Sequence, residues 1–194
     1  MARKSTRNTR GRIVNAAWKL FYEQGYEDTT VEEIIELSGT SKGSFYHYFD
    51  GKDALLSTLS SLFDEKYEEL TGLLAPEMTA MEQLLFLNRE LFHMIENSIS
   101  LDLLARLYST QLTTNGEKHL LDHNRIYYKL LRKIIAKGQD DGQLSRRSNV
   151  NEMVKLYALC ERALLYDWCL CAGEYSLTEY SSKVLPGFLS SFLP

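Results

Sequence analysis

Three cysteines and three prolines among 194 residues are few, and no apolar run approaches the length of a membrane-spanning helix. With only three prolines and 11 glycines, long helices meet few breaks. Strand-like alternation of apolar and polar residues is rare, so the chain reads as all-α. The thiols, Cys160, Cys169 and Cys171, are odd in number and share one apolar stretch. That argues against a disulfide framework and for reduced thiols in a cytoplasmic protein. Cys169 and Cys171 are too close and too isolated to suggest a zinc site. The richest apolar run, ALLYDWCLCA, is interrupted by Asp167 and falls short of the ~20 residues a span requires. No apolar segment follows the basic start, so a secretory leader is not expected, and neither is a membrane partner. At 44% apolar and 25% charged, the composition is that of a globular protein rather than a disordered one.

Acid is missing from the first 20 residues. They hold Arg3, Lys4, Arg7, Arg10, Arg12 and Lys19, six cations, so the remainder of a chain of net charge −4 must sum to −10. A basic end on an acidic protein suggests contact with an anionic surface such as nucleic acid; a solvated basic tail is the plainer alternative.

About nine helices are expected, with no internal repeat. The first spans residues 8–24, with Ile13, Ala16, Ala17, Leu20 and Phe21 at helical spacing and Gly25 as a left-handed stop. Thr30 and Glu33 form a capping box for a second, whose inward stripe is Val31, Ile34, Ile35 and Leu37. Gly39 closes it, and Thr40 or Ser41 caps a third that runs to Phe49. A long helix then covers residues 52–74. Further helices are expected at 80–97, from a box of Thr79 and Glu82, and at 101–113. Others cover 117–141, after an Asn115-Gly116 turn, and 149–172. The last starts from a box of Ser176 and Glu179 and carries a kink at Pro186.

Residues 39–49, GTSKGSFYHYF, divide on a helical wheel. Phe45, Tyr48 and Phe49 share one face; Gly43, Tyr46 and His47 take the other, flanked by Lys42 and Ser44. One aromatic set anchors the helix while the second is exposed with small and basic residues. A short helix, a glycine turn and such a second helix match a helix-turn-helix, whose second helix reads the major groove. Lysine and serine reach phosphates or bases, and tyrosine a phosphate or a thymine methyl. The start of the second helix, at Thr30, offers amides to a phosphate, and the basic arm of residues 3–12 adds attraction without sequence preference.

On these residues, TTVEEIIELSGTSKGSFYHYFDGKDALL resembles the DNA-binding domain of the TetR family of bacterial one-component regulators, over about residues 12–59. The resemblance implies DNA contacts from Thr30, Thr40, Ser41, Lys42, Gly43, Ser44, Tyr46, His47 and Lys52. Glu32 stands where some members are basic and is left out. Asp50-Gly51 replaces a more usual cap before the fourth helix. The implied organisation is a helix-turn-helix domain over residues 1–51, then a helical ligand-binding and dimerisation bundle over 52–194. The implied function is a repressor, not an enzyme, released from a near-palindromic double-stranded operator by a small-molecule effector. No cofactor or resident metal is implied.

The last two long helices agree. Cys160, Leu164 and Trp168, with Val184, Leu185, Phe188 and Phe192, give more apolar surface than one core needs, and a homodimer covers it most simply. An effector pocket could draw on Tyr108, Tyr127, Tyr128, Tyr157, Tyr166 and Trp168, with His93, Arg106, Asn124 or Glu161 as polar anchors. Glu161-Arg162, charged within the most apolar helix, reads as an ion pair across the dimer. His119 and His123 in HLLDH stand at i, i+4 spacing with Asp122 beside them. They are the one opening for a metal-binding protein or enzyme, with no evident third ligand.

Overall fold

The computed structural model describes residues 2–113 and 118–194, with side chains from residue 9 onward. Among the described residues there are ten α-helices and no strand. They are α1 (Ala2–Glu23), α2 (Val31–Ser38), α3 (Lys42–Tyr48), α4 (Lys52–Leu56), α5 (Leu59–Thr71), α6 (Ala80–Ser98), α7 (Leu101–Thr113), α8 (Ile126–Asp140), α9 (Val150–Leu170) and α10 (Leu177–Leu189). Two 3-10 turns, His119–Leu121 and Ser190–Phe192, complete the order. The Asn115-Gly116 turn and a helix start at Glu117 lie outside the described residues.

The caps read from sequence are present at α2 and α6. Thr30 and Glu33 exchange side-chain and backbone hydrogen bonds, and so do Thr79 and Glu82. At α10 only half of the expected box forms. Ser176 accepts from the Glu179 amide, but the carboxylate at this helix start belongs to Glu96 of α6, whose Oε2 accepts from Thr178 N (3.1 Å) and Thr178 Oγ1 (2.6 Å). Pro186 lies inside α10 without ending it.

Two expected long helices are broken. The first divides at 57–58, where hydroxyls compete for backbone carbonyls. Ser57 Oγ donates to Ala54 O and Thr58 Oγ1 to Leu55 O, while the Thr58 amide also turns to Leu55 O, a 3-10 step. Trp18 Nε1 holds the joint from α1 by donating to Thr58 Oγ1 (2.9 Å). The second gives a 3-10 turn, a loop and then α8. Asp122 Oδ1 accepts from the Asn124 amide, and Arg125, the N-cap residue of α8, is held to α5 by its guanidinium on Asp64 (3.0 and 3.1 Å) and Ser60 O (2.9 Å). Leu37, read as inward, faces solvent; Ser38 takes the buried place and bonds Ile35 O and the Thr40 hydroxyl.

Ile13, Ala17 and Phe21 of α1 pack on Ile34 of α2 and on Phe45 and Phe49 of α3, making a small N-terminal bundle. In the larger bundle, α10 lies along α6, and α8 packs against α5, α6 and α9. Gly138 permits one close approach, since a Cβ there would stand 2.5 Å from Ala80 Cβ and 2.8 Å from Leu144 Cδ1.

Candidate nucleic-acid interface and effector cavity

The turn between α2 and α3 is built from Gly39. At φ 59°, ψ 37° it sits in the left-handed region, and its amide reaches the Ile35 and Glu36 carbonyls. Arg12 locks this turn from α1, donating Nε to Ser38 O (2.9 Å) and Nη2 to Ser38 O (2.6 Å) and Gly39 O (2.5 Å). A cation on the last carbonyls of a helix also meets the negative end of its dipole. Arg12, counted from sequence with the basic arm, is therefore engaged within the protein. The side chains of Arg3, Lys4 and Arg7 lie outside the described residues.

Ser41 caps α3 by accepting from the Ser44 amide (3.1 Å). The wheel holds. Phe45 and Phe49 are buried, Tyr48 is half-buried, and Tyr46 is 46% exposed beside exposed His47, Gly43 and Lys42. Lys42 Nζ lies 3.4 Å from Glu32 Oε1, both well exposed, a weak pair that a phosphate can replace. Thr30 is exposed but its hydroxyl serves the capping box. Thr40 and Ser44 are half-buried, and their hydroxyls bond Ser38 and Ser41.

Lys52 stands apart from this face. Its Nζ donates to the carbonyls of Tyr26 (2.6 Å), Thr29 (2.9 Å) and Glu27 (3.2 Å) and lies 4.3 Å over the Tyr26 ring. Arg106 of α7 comes from the larger bundle to the same loop, 4.9 Å over that ring and 2.5 Å from Glu27 Oε1. The Tyr22 hydroxyl donates to Ser98 O (2.6 Å) across the same junction.

In the larger bundle a cavity of about 50 Å³ is walled by Phe63 and Tyr67 of α5, Leu91 and Ile95 of α6, and Tyr108 of α7. Leu120, Arg125, Tyr127, Glu161, Arg162 and Leu165 close it. Of the residues expected there, Tyr108, Tyr127 and Glu161 line it. His93 is on the surface beside Asn97, and Asn124 is exposed in the loop before α8. The Tyr128 hydroxyl donates to Leu120 O, Tyr157 donates to Leu84 O, and Trp168 Nε1 donates to Tyr175 O. All three are buried outside the cavity wall. Tyr166 is outward, and Arg106 is at the junction described above. The sequence reading missed Tyr67 and Phe63, because their helix was read only as a connector.

Glu161 is 4% exposed inside one chain, which overturns the reading of an ion pair across a dimer. Tyr127 donates to its Oε2 (2.6 Å) and Asn88 to its Oε1 (2.8 Å), and Arg162 turns instead to the Tyr128 hydroxyl (3.2 Å). Burial raises the Glu161 carboxyl above the usual range, and the donated hydrogen bonds only partly oppose this. Burial also pushes the Tyr67 and Tyr127 phenols well up.

His119 and His123 do not share a helical face, being separated by the end of a 3-10 turn, and the His123 ring packs at a tilt on Tyr128 (4.7 Å between centroids). Among the described residues no group of three His, Cys, Asp or Glu could hold a metal ion. Nor is any helix among them long and apolar enough to cross a membrane.

Much of the apolar surface assigned to a partner is covered within the chain. Cys160, Leu164, Trp168, Leu185 and Phe192 are buried, and Val184 and Phe188 are half-buried. What α9 leaves open is the adjacent stripe of Leu159 (53% exposed), Ala163, Tyr166 and Leu170 (67% exposed). The stripe shifts because α9 meets α7, α8 and α10 through its other side.

A family model of bacterial regulatory proteins, tetR family, matches residues 13–59, the segment that carries the α2–α3 turn and its exposed helix. Residues 13–59 carry a DNA-binding domain of the TetR family. The helix-turn-helix of this segment is the DNA-binding motif of such regulators. An uncharacterised helix-turn-helix regulator of Lactococcus lactis is 39% identical over 56 residues, 28% of this chain and 29% of that protein. The match thus spans under a third of that relative. The transcriptional repressor KstR2 of Rhodococcus jostii is 26% identical over 96% of this chain and 93% of its own. Among solved structures, Thermus thermophilus FadR, a TetR-family repressor in complex with lauroyl-CoA, aligns at a TM-score of 0.72 and 24% identity. That alignment covers 95% of each chain and shows the shared fold.

Proposed function

We propose that this protein is a homodimeric TetR-family repressor that reads a near-palindromic operator and leaves it when a small molecule enters the cavity between α5 and α9. The observation that carries the reading is α3. Phe45 and Phe49 fix it from beneath, so Lys42, Gly43, Tyr46 and His47 project together from a rigid helix. Ser41, Ser44, Thr30 and Thr40 shape the ends of α2 and α3 and bring their amides to the phosphates. Lys52 acts from behind, by holding the loop before α2. The domain boundary is placed before α4, at 51/52. A second copy covers the Leu159–Tyr166–Leu170 stripe of α9 together with Tyr180, Val184 and Phe188 of α10. Such a dimer sets two copies of α3 about one DNA turn apart.

The effector is proposed to be an apolar chain of the kind named for the Thermus protein, an acyl-CoA. A cavity of about 50 Å³ holds only part of such a chain, so binding must part the helices around it. Tyr108 lines the cavity two residues from Arg106, which grips the DNA-binding bundle at Tyr26 and Glu27. Movement of α7, together with the joint at 57–58, would then change the spacing of the two recognition helices.

Selection of duplexes from a random library tests the reading, beside a Lys42→Ala, Tyr46→Ala double variant. A palindrome enriched by the native protein and lost in the variant supports it. Salt-sensitive binding with no enriched sequence refutes the role given to α3.

A further inference from the structure

Among the described residues, one buried polar group of the cavity wall is unmatched. Tyr67 is 2% exposed, and its hydroxyl is, among the described residues, a buried oxygen with no hydrogen-bond partner. Neither carboxylate that acts on it, Glu161 or Asp64, is its partner. Asp64 holds Arg125 through both carboxylate oxygens, and Glu161 takes Asn88 on one oxygen and Tyr127 on the other. Phe63, Leu91, Ile95 and Leu165 supply the apolar wall. A buried O–H without an acceptor is costly, whereas unused lone pairs on oxygen are better tolerated. Burial keeps this phenol protonated far above neutral pH, so it remains a donor. Of the other polar groups on the cavity, Arg162 can only donate, and the Tyr108 phenol, able to donate or accept, does not bond Tyr67.

We propose that Tyr67 seats an acceptor oxygen of the effector, so that the site selects an apolar molecule carrying a carbonyl over a plain hydrocarbon chain. The inference rests on the reading of this cavity as the effector site. In an acyl-CoA the thioester carbonyl supplies that oxygen.

The probes are lauroyl-CoA and dodecyl-CoA, a thioether of the same chain length with no carbonyl. Both are titrated into the native protein and into Tyr67→Phe by calorimetry. The native protein should bind the thioester roughly three- to tenfold more tightly, the worth of one neutral hydrogen bond. Tyr67→Phe should bind the two alike and melt no lower than the native protein, since it removes an unmatched hydroxyl and keeps the ring. Equal binding by the native protein, or an undiminished preference in Tyr67→Phe, overturns the oxygen seat and leaves acyl-CoA binding standing. Failure of both compounds to bind the native protein overturns the acyl-CoA reading and the seat with it.

Discussion

Replacing Gly39 by alanine tests the turn that aims α3. The residue sits at φ 59°, ψ 37°, where a Cβ crowds the following carbonyl, at a cost of about 1–2 kcal/mol. The added methyl would stand 3.4 Å from Arg12 Nη2, close to ordinary contact, so strain rather than collision sets the size of the effect. Relief requires the turn to relax. That would weaken the Arg12 bonds to the Ser38 and Gly39 carbonyls and tilt α3 away from its seat. A loss of about 1–2 kcal/mol corresponds to roughly 5- to 30-fold in operator affinity if all of it appears in the complex. Gly39→Asn is the control, because asparagine tolerates the left-handed region better than alanine. Fluorescence anisotropy with a selected operator, at one fixed salt concentration, gives both affinities; circular dichroism gives the melting temperatures. Asparagine should recover more than half of the loss. If alanine binds as tightly as glycine, or if alanine and asparagine are equally impaired, backbone strain at Gly39 is not what positions α3.

Glu161 should give a pH signature. Its native pKa is raised by burial, so folding favours the protonated carboxyl. This contribution is fully present below the usual carboxylate range and is lost as pH rises through the raised native value. Urea midpoints should therefore decline over that interval in the native protein and less so in Glu161→Gln; parallel profiles would refute the assignment. On the open stripe of α9, Leu159→Glu should give a monomer at micromolar concentration. Burial of one leucine is worth about 1.5–3 kcal/mol, and a two-fold interface contains it twice, so dissociation should rise by at least about a hundredfold. A Leu159→Glu variant that sediments as an unchanged dimer would place the interface elsewhere.

Local signals carried the N-terminal bundle because its decisive contacts are short in sequence. The Thr30–Glu33 box, the left-handed Gly39, the Ser41 cap and the division of aromatics between Phe45–Phe49 and Tyr46–His47 each depend on residues within a turn of one another. Periodicity and capping chemistry are sufficient for such features. The all-α class and the start of α6 at Thr79 followed in the same way.

Partners distant in sequence were decided by the tertiary structure. Glu96 displaces Glu179 at the start of α10 because packing of α6 against α10 brings its carboxylate to Thr178. Arg125 and Asp64, 61 residues apart, help set where α8 begins, and Trp18 grips Thr58 at the joint that an unbroken periodicity conceals. The same holds for the cavity. That Tyr127 and Asn88 cradle Glu161 while Tyr67 finds no partner among the described residues depends on how five helices meet. Sequence alone established that α9 has apolar residues to spare. Which side of it the chain covers was settled only when α7, α8 and α10 packed against it, because an apolar stripe records how much surface must be buried and not against what.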